Sequence, residues 1–410
     1  MMRSWLFLTL VFVNSIALAE EPLTIHSFLM SAKDDYHVKN HKELMDYYKQ
    51  APKSTPYLNR VEFRTETESF DFYRQKYQIR LYPKGWGETS QNRNLYDATN
   101  RVYEIEQQEL FSAALMNRYG IVLNYLRDKS LAKIIKALLE VQNDRLYVYR
   151  KKSTALNNFD VQEITKADAD YVELELDLIA LEDSLINAER KVHEHIRKNV
   201  LISFEDSKIL SVDDIKKQVI ASHSTQIDIQ NFLKEDQGKI RLAEAKYRLE
   251  IAKERDYFNF FVLEFDTQDR EEPRRAFSIG FAIKLPFIHP DRDDVLRRKI
   301  DVLEEKVKYE EAKMKFRERL FTLSRHVLRH IEQYHVLKKR QEHSEANVSL
   351  KQFLQMDGVD PLTVLEIKES VLKGEIRLAK LNSTIRSEYI ELMYLLGKFA
   401  QKPLKNYLEL

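Results

Sequence analysis

Phe277-Ser278-Ile279-Gly280-Phe281-Ala282-Ile283-Lys284-Leu285-Pro286-Phe287 is the stretch on which the fold turns. Phe277, Ile279, Phe281, Ile283 and Leu285 alternate with Ser278, Gly280, Ala282 and Lys284. A period of two, apolar against small or polar, is a β-strand with one greasy face. Just upstream, 257–268 reads as its partner, giving a strand pair at about 257–268 and 275–287. The same pair occurs 200 residues earlier, at about 57–69 and 72–83. There Val61 and Phe63 alternate with Arg60, Glu62 and Arg64, and Tyr77, Ile79 and Leu81 alternate with Lys76, Gln78 and Arg80. At 10–13 residues each, the segments match the length a tilted strand needs to cross a bilayer. Tyr57, Phe70, Phe72, Tyr82, Trp86, Tyr257, Phe258 and Phe287 cluster near the segment ends, as an interfacial girdle does. A small soluble sheet of four strands is the plainer alternative. Open strand edges are not tolerated in lipid, so membrane-spanning strands here require several chains to pool them; three chains give twelve.

Each strand pair leads into a long helical hairpin. Residues 92–155 contain no Pro and one Gly, and reach about 95 Å as a helix. A break at Leu156-Asn157-Asn158-Phe159-Asp160 precedes a return helix whose Tyr171, Leu174, Leu178, Leu181, Leu185, Ala188 and Val192 form a seam spaced three and four. In the second half 292–355 lacks both Gly and Pro. Leu296, Ile300, Leu303 and Val307 open its seam, and Phe316, Leu320, Leu323, Val327, Ile331, Tyr334 and Leu337 continue it. The break Met356-Asp357-Gly358-Val359-Asp360-Pro361 then precedes a helix ending near Gly397. Asp160 and Asp360 lie 200 residues apart, each placed to cap its return helix. Glu163 adds a capping box in the first, and Pro361 takes the favoured first helical position in the second. The chain reads as an internal duplication: 20–210 and 211–402, with hairpins 92–197 and 292–397, then a tail at 403–410. Leu23–Gln50 and Val212–Arg255 are the helices expected to complete each layer, and Gly120 and Gly374 mark expected close helix approaches.

Composition agrees. Eight Gly and nine Pro in 410 residues leave few turns and long elements. Past the N-terminus no apolar run reaches 18 residues, so a polytopic helical membrane protein is excluded. Lys+Arg 66 against Asp+Glu 65 gives no basic field, and nucleic acid is not an expected partner. With no Cys there is no disulfide, thiolate metal site or lipidated N-terminal Cys. Arg3, the apolar run Trp5 to Ile16 and Ala17-Leu18-Ala19 form a secretory signal peptide at 1–19, cleaved after Ala19. No Gly-rich phosphate loop or nucleophile elbow is present, and no catalytic residue or cofactor is expected. His326 and His330 have metal-ligand spacing but no further ligand, and His193 and His195 point to different helix faces; no metal site is expected.

The duplicated order of strand pair, long helix, capped break and return helix resembles the TolC family of outer-membrane efflux channels. Phe159-Asp160-Val161-Gln162, Gly358-Val359-Asp360-Pro361-Leu362-Thr363-Val364-Leu365-Glu366, the passage from Ser278 to Phe287, and Tyr394-Leu395-Leu396-Gly397 carry the likeness. The chain departs from the family in its Lys- and Glu-rich helices and in Asn157-Asn158, where Gly is common. The resemblance implies a mainly α fold with a small β part, four strands per chain building the twelve-stranded barrel of a homotrimer. It implies a passive duct through the outer-membrane lipid, continued by a periplasmic tunnel and joined through a periplasmic adaptor to an inner-membrane transporter. The tips at Asn157, Asn158, Phe159, Asp160, Asp357, Gly358, Val359 and Asp360 would meet the adaptor. Glu366 resembles the family's acidic position after Val364-Leu365 and would form an inward ring that gates and filters cations. Its plainer reading is a solvated helix carboxylate. Efflux and type I secretion are not separable here, and a periplasmic coiled-coil adaptor or scaffold without a channel is the competing reading.

Overall fold

The computed structural model describes residues 22–50, 56–67, 75–155, 161–205, 209–224, 232–267, 276–284, 292–343, 360–401 and 403–409. The expected signal peptide, the tip residues Asn157, Asn158, Phe159, Asp160, Asp357, Gly358 and Val359, and Leu285-Pro286-Phe287 lie outside them. The elements run α1 (Ile25–Met30), α2 (Tyr36–Gln50), β1 (Leu58–Thr67), β2 (Gln75–Pro83), α3 (Glu88–Ala155) and α4 (Val161–Ile196). They continue with α5 (Val212–Ser224), α6 (Lys234–Glu254), β3 (Phe258–Asp266), β4 (Phe277–Ile283), α7 (Arg292–Glu342) and α8 (Pro361–Leu395).

The strands form one antiparallel sheet ordered β1-β2-β3-β4, so β2 and β3 join the halves. Its details repeat with the 200-residue offset. The Lys84 N–H donates to the Tyr57 carbonyl and the Lys284 N–H to the Tyr257 carbonyl, each at 3.0 Å. Each pair also carries a register irregularity, between Leu58 and Arg60 and between Phe258 and Phe260.

Below the sheet, α3 runs 68 residues, about 100 Å, because nothing in it breaks a helix. Its start is fixed by Gly87 at φ +84° and by Glu88, whose carboxylate accepts the Gly85 N–H at 3.1 Å. Near the sheet, α3 is flanked by α2 and α6, and α6 by α7; at the hairpin end the order becomes α4, α3, α8, α7. The core is a belt around the middle of this wall. Leu115, Tyr119 and Val122 of α3 meet Val327 and Ile331 of α7, Ile385 and Tyr389 of α8, Val192 of α4, Val219 of α5 and Phe28 of α1. A smaller cluster near the tips joins Leu146 and Tyr149 to Ala167. α8 ends at Gly397, whose φ of +65° suits a residue without Cβ.

Several expectations need correction. Leu23–Gln50 is not one helix: a 3-10 turn at Ser31–Asp34 separates α1 from α2, and Asp35 restarts the chain by accepting the His37 N–H at 3.1 Å. Val212–Arg255 divides into α5 and α6. In the C-terminal tail Leu408 is buried and its carbonyl accepts the Leu210 N–H at 2.7 Å. Gly120 marks no close approach, because a Cβ there would meet nothing within 4 Å; at Gly374 it would stand 3.3 Å from the Gln341 side chain. Asp360 occupies the N-cap position without a side-chain capping bond. Its carboxylate instead accepts from Lys152 of α3 at 3.1 Å.

Candidate channel wall and hairpin tips

The sheet has two chemically opposite faces. Register places Val61 beside Leu81, Phe63 beside Ile79, Ile79 beside Leu263 and Leu263 beside Ile279. Phe261, Phe265, Phe277 and Phe281 extend the same face. Its residues are exposed: Phe63 is 65%, Ile279 80% and Phe281 63% accessible. A contiguous apolar patch of this size in the open has to be covered by something. The opposite face holds all the charge of the four strands: Arg60, Glu62, Arg64, Glu66, Lys76, Arg80, Glu264 and Asp266. Those groups pair with one another. Glu62 accepts from Arg60 at 2.9 Å, Arg64 at 3.2 Å and the Tyr82 hydroxyl at 2.9 Å. Gln78 donates to Glu264 at 2.8 Å, and Lys76 lies 3.5 Å from Asp266. Alternation along a strand thus separates a lipid-like from a water-like surface. Tyr57 and Trp86, at 76% and 78% accessible, stand at the helix-side end of the sheet, as expected for a girdle.

Among the described residues no further strand pairs with either edge of the sheet, β1 or β4. The helical wall is open on the same two flanks. On α7, Leu296, Ile300, Leu303, Val307, Met314 and Phe321 are exposed, and Ile300, Val307, Met314 and Phe321 repeat every seven residues. The seam expected at Leu296–Val307 therefore stays uncovered among the described residues, whereas its continuation through Phe316, Leu320, Leu323 and Val327 is buried. The other flank exposes Tyr36, Leu44 and Tyr47 on α2 and Val172, Leu176, Ile179 and Ile186 on α4.

At the tips, Asp360 and Glu366 are the described residues among those singled out from sequence. Glu366 is exposed, one turn into α8. The stronger contact there was not anticipated: Arg145 of α3 meets Glu369 of α8 at 2.6 Å, with side chains 10% and 12% exposed, and Lys373 meets the other Glu369 oxygen at 2.6 Å. Burial alone would raise the Glu369 carboxyl, but Lys373 and Arg145 more than offset it and hold it below the usual glutamate range. Its sequence signal was faint, a Glu four residues before Lys373 on an already charged helix.

A cleft of about 510 Å³ lies between α3, the start of α6 and the end of α8, lined by Glu109, Glu235, Asp236 and Tyr394. Burial, then a hydrogen bond and negative charge from Glu235, push the Glu109 carboxyl up to about 8. The same bond, with Lys239, holds Glu235 below its usual value. Arg118 is fully buried and donates to the Ser31 hydroxyl, the Ser31 carbonyl and the Asp35 carboxylate at 3.1, 3.2 and 3.2 Å. Its place in the apolar run from Ala113 to Leu126 was the available signal. His330 contacts Glu388 at 2.8 Å, and among the described residues no three His, Cys, Asp or Glu group around a possible metal ion.

Neither a protein-family model nor a curated protein sequence matches the chain. Solved structures do. The open-state MtrE outer membrane channel of Neisseria gonorrhoeae superposes with a TM-score of 0.65 over 91% of this chain and 88% of its own, at 12% identity. The outer membrane protein VceC of Vibrio cholerae gives 0.63, covering 91% and 96%, at 13% identity. The CmeC outer membrane channel of Campylobacter jejuni gives 0.61, covering 94% and 86%, at 10% identity. The fold is TolC-like. The likeness is one of fold, with little sequence shared.

Proposed function

We propose that this chain is an outer-membrane exit duct, a homotrimer that carries efflux or type I secretion cargo across the outer membrane without bond chemistry. The observation that carries the reading is the coincidence of two open sheet edges with two exposed apolar helical flanks. β1 follows α2, and β4 precedes α7. The edge and seam of one flank are thus placed to meet the different edge and seam of the other flank on a neighbouring copy. Such a head-to-tail interface builds a ring when its rotation closes, as in a trimer with a threefold axis. Two copies would give eight strands, a bore that side chains alone fill; three give twelve and room for water. The ring also covers the strand edges, which lipid demands.

The exposed apolar strand face would then meet lipid and the charged face would line water. Energy would come from an inner-membrane transporter, reached through a periplasmic adaptor at the tips. Asn157, Asn158, Phe159, Asp160, Asp357, Gly358, Val359 and Asp360 are the proposed adaptor contacts. Glu366 is the proposed acidic ring, where three carboxylates repel one another and attract cations. The neighbours of matching fold, carrying outer-membrane channel descriptions, support the duct over a soluble adaptor or scaffold. The test is light scattering on the detergent-extracted protein during gel filtration, followed by conductance in planar bilayers. A three-chain particle that conducts fits the duct; a detergent-independent monomer or dimer refutes it.

A further inference from the structure

The charged face of the sheet carries as many cations as anions, and one carboxylate holds more of it than any other described. Its cations are Arg60, Arg64, Lys76 and Arg80; its anions are Glu62, Glu66, Glu264 and Asp266. β4 contributes Ser278, Gly280 and Ala282 to the same face and no charge. Glu62 sits directly across from Arg80 in the register. It also spans Arg60 and Arg64, one on each oxygen, and takes the Tyr82 hydroxyl as well. Arg60 in turn lies over the Tyr82 ring at 4.1 Å. Two arginines, Arg60 and Arg64, thus hold a single carboxylate, while Arg80 across from it donates to the Gln78 side-chain oxygen at 2.9 Å.

We propose that Glu62 is the residue that sets the ion preference of the barrel lumen, by neutralising this arginine cluster. The inference rests on the duct reading. In a trimer the substitution Glu62→Gln removes three negative charges at one level of the pore and leaves the cluster's positive charges exposed to the permeating ion. Inside a low-dielectric wall such a ring acts on ions within a Debye length, about 10 Å at 0.1 M salt. Gln keeps the shape and can still accept from Tyr82, so the wall keeps its packing.

The experiment is the reversal potential of the reconstituted full chain under a tenfold KCl gradient, for the unaltered protein, Glu62→Gln and Arg64→Gln. Glu62→Gln should raise the chloride-to-potassium permeability ratio at least threefold. Arg64→Gln should lower it, and both shifts should shrink in 1 M salt, where the Debye length is about 3 Å. If Glu62→Gln fails to assemble, the opposite shift in Arg64→Gln still decides the matter. Conducting variants with the unaltered ratio overturn the role of Glu62 and leave the duct standing. An unaltered protein that assembles but never conducts overturns both.

Discussion

Replacing Glu369 by Ala tests whether the tunnel end of the wall is held by a charge pair or by packing. Arg145 is 10% exposed, meets Glu369 at 2.6 Å, and otherwise donates only to the Gln142 side-chain oxygen at 3.3 Å, among the contacts described. Its Nε already lacks a hydrogen-bond partner. Removing one member of a buried pair costs about 3–5 kcal/mol, because the other is left charged and unpaired. The lower end applies here, since the site lies near the surface and the released Lys373 is well exposed. About 3 kcal/mol corresponds to roughly a hundredfold change in an opening equilibrium. Hydrogen exchange over the first three turns of α8, read by mass spectrometry on the assembled protein, should therefore accelerate about a hundredfold in Glu369→Ala. Arg145→Leu combined with Glu369→Leu should regain most of the protection, because the buried charge is gone from both sides. The pH dependence has a fixed sign. The Glu369 carboxyl is held below its unfolded value, so its contribution is complete above the usual glutamate range and is lost as pH falls through the depressed value. Exchange in α8, corrected for intrinsic rates, should loosen with acid in the unaltered protein and not in the double Leu variant. A change of less than threefold in Glu369→Ala would show that Leu146, Tyr149 and Ala167 hold this end without the pair.

Three further outcomes follow from contacts elsewhere. A Cβ at Gly85 would stand 2.3 Å from the Ala252 carbonyl oxygen, where Trp86 also donates to Arg255 at 3.1 Å; Gly85→Ala should destabilise by about 1–3 kcal/mol and lower the thermal midpoint, and an unchanged midpoint would refute the close approach. Glu109 is held protonated up to about 8, so its contribution is complete below its unfolded value near 4.5 and is lost as pH rises through about 8. Melting temperature should thus fall over that window in the unaltered protein, and the fall should be smaller in Glu109→Gln; parallel curves would refute the shared proton. Ile279→Arg places a charge in the middle of the apolar strand face at a cost of about 2–4 kcal/mol in lipid, so recovery of folded protein from vesicles should drop, while Ser278→Arg on the opposite face should not reproduce it.

The strands and hairpins were legible because their signals are local. Alternation from Phe277 to Ile283 names both faces of β4 without any knowledge of its neighbours. The absence of Pro and the spacing of Tyr171 through Val192 likewise define α3 and α4 before they are seen to pack. The pairing of β2 with β3 was not legible, since it joins Tyr77 to Phe265 across almost half the chain. The break after Met30 was missed because Asp35 acts through its backbone neighbours, and an Asp within a polar helix does not announce a restart.

The candidate site was legible in kind and less so in detail. Alternating residues announce a wall with a wet and a dry side, but not which charges on the wet side touch. In a chain that is 32% charged, Glu62 and Glu369 look like dozens of others. They separate from the rest only when the folded chain brings Arg60 and Arg64, or Arg145, to them. The exposed seam on α7 carries the converse lesson. Leu296, Ile300, Leu303 and Val307 show in sequence the same spacing as Phe316, Leu320, Leu323 and Val327. The latter are buried in the core that α7 shares with α5 and α8, and the former are covered by none of the described residues. A seam whose pattern continues unchanged from a buried stretch into an exposed one is a surface shaped for burial. On the duct reading its missing partner is the α2 flank of the next copy, with Leu44 and Tyr47 exposed to receive it. The same contact that closes the helical wall would then bring β4 to β1, so the barrel and the tunnel would close together.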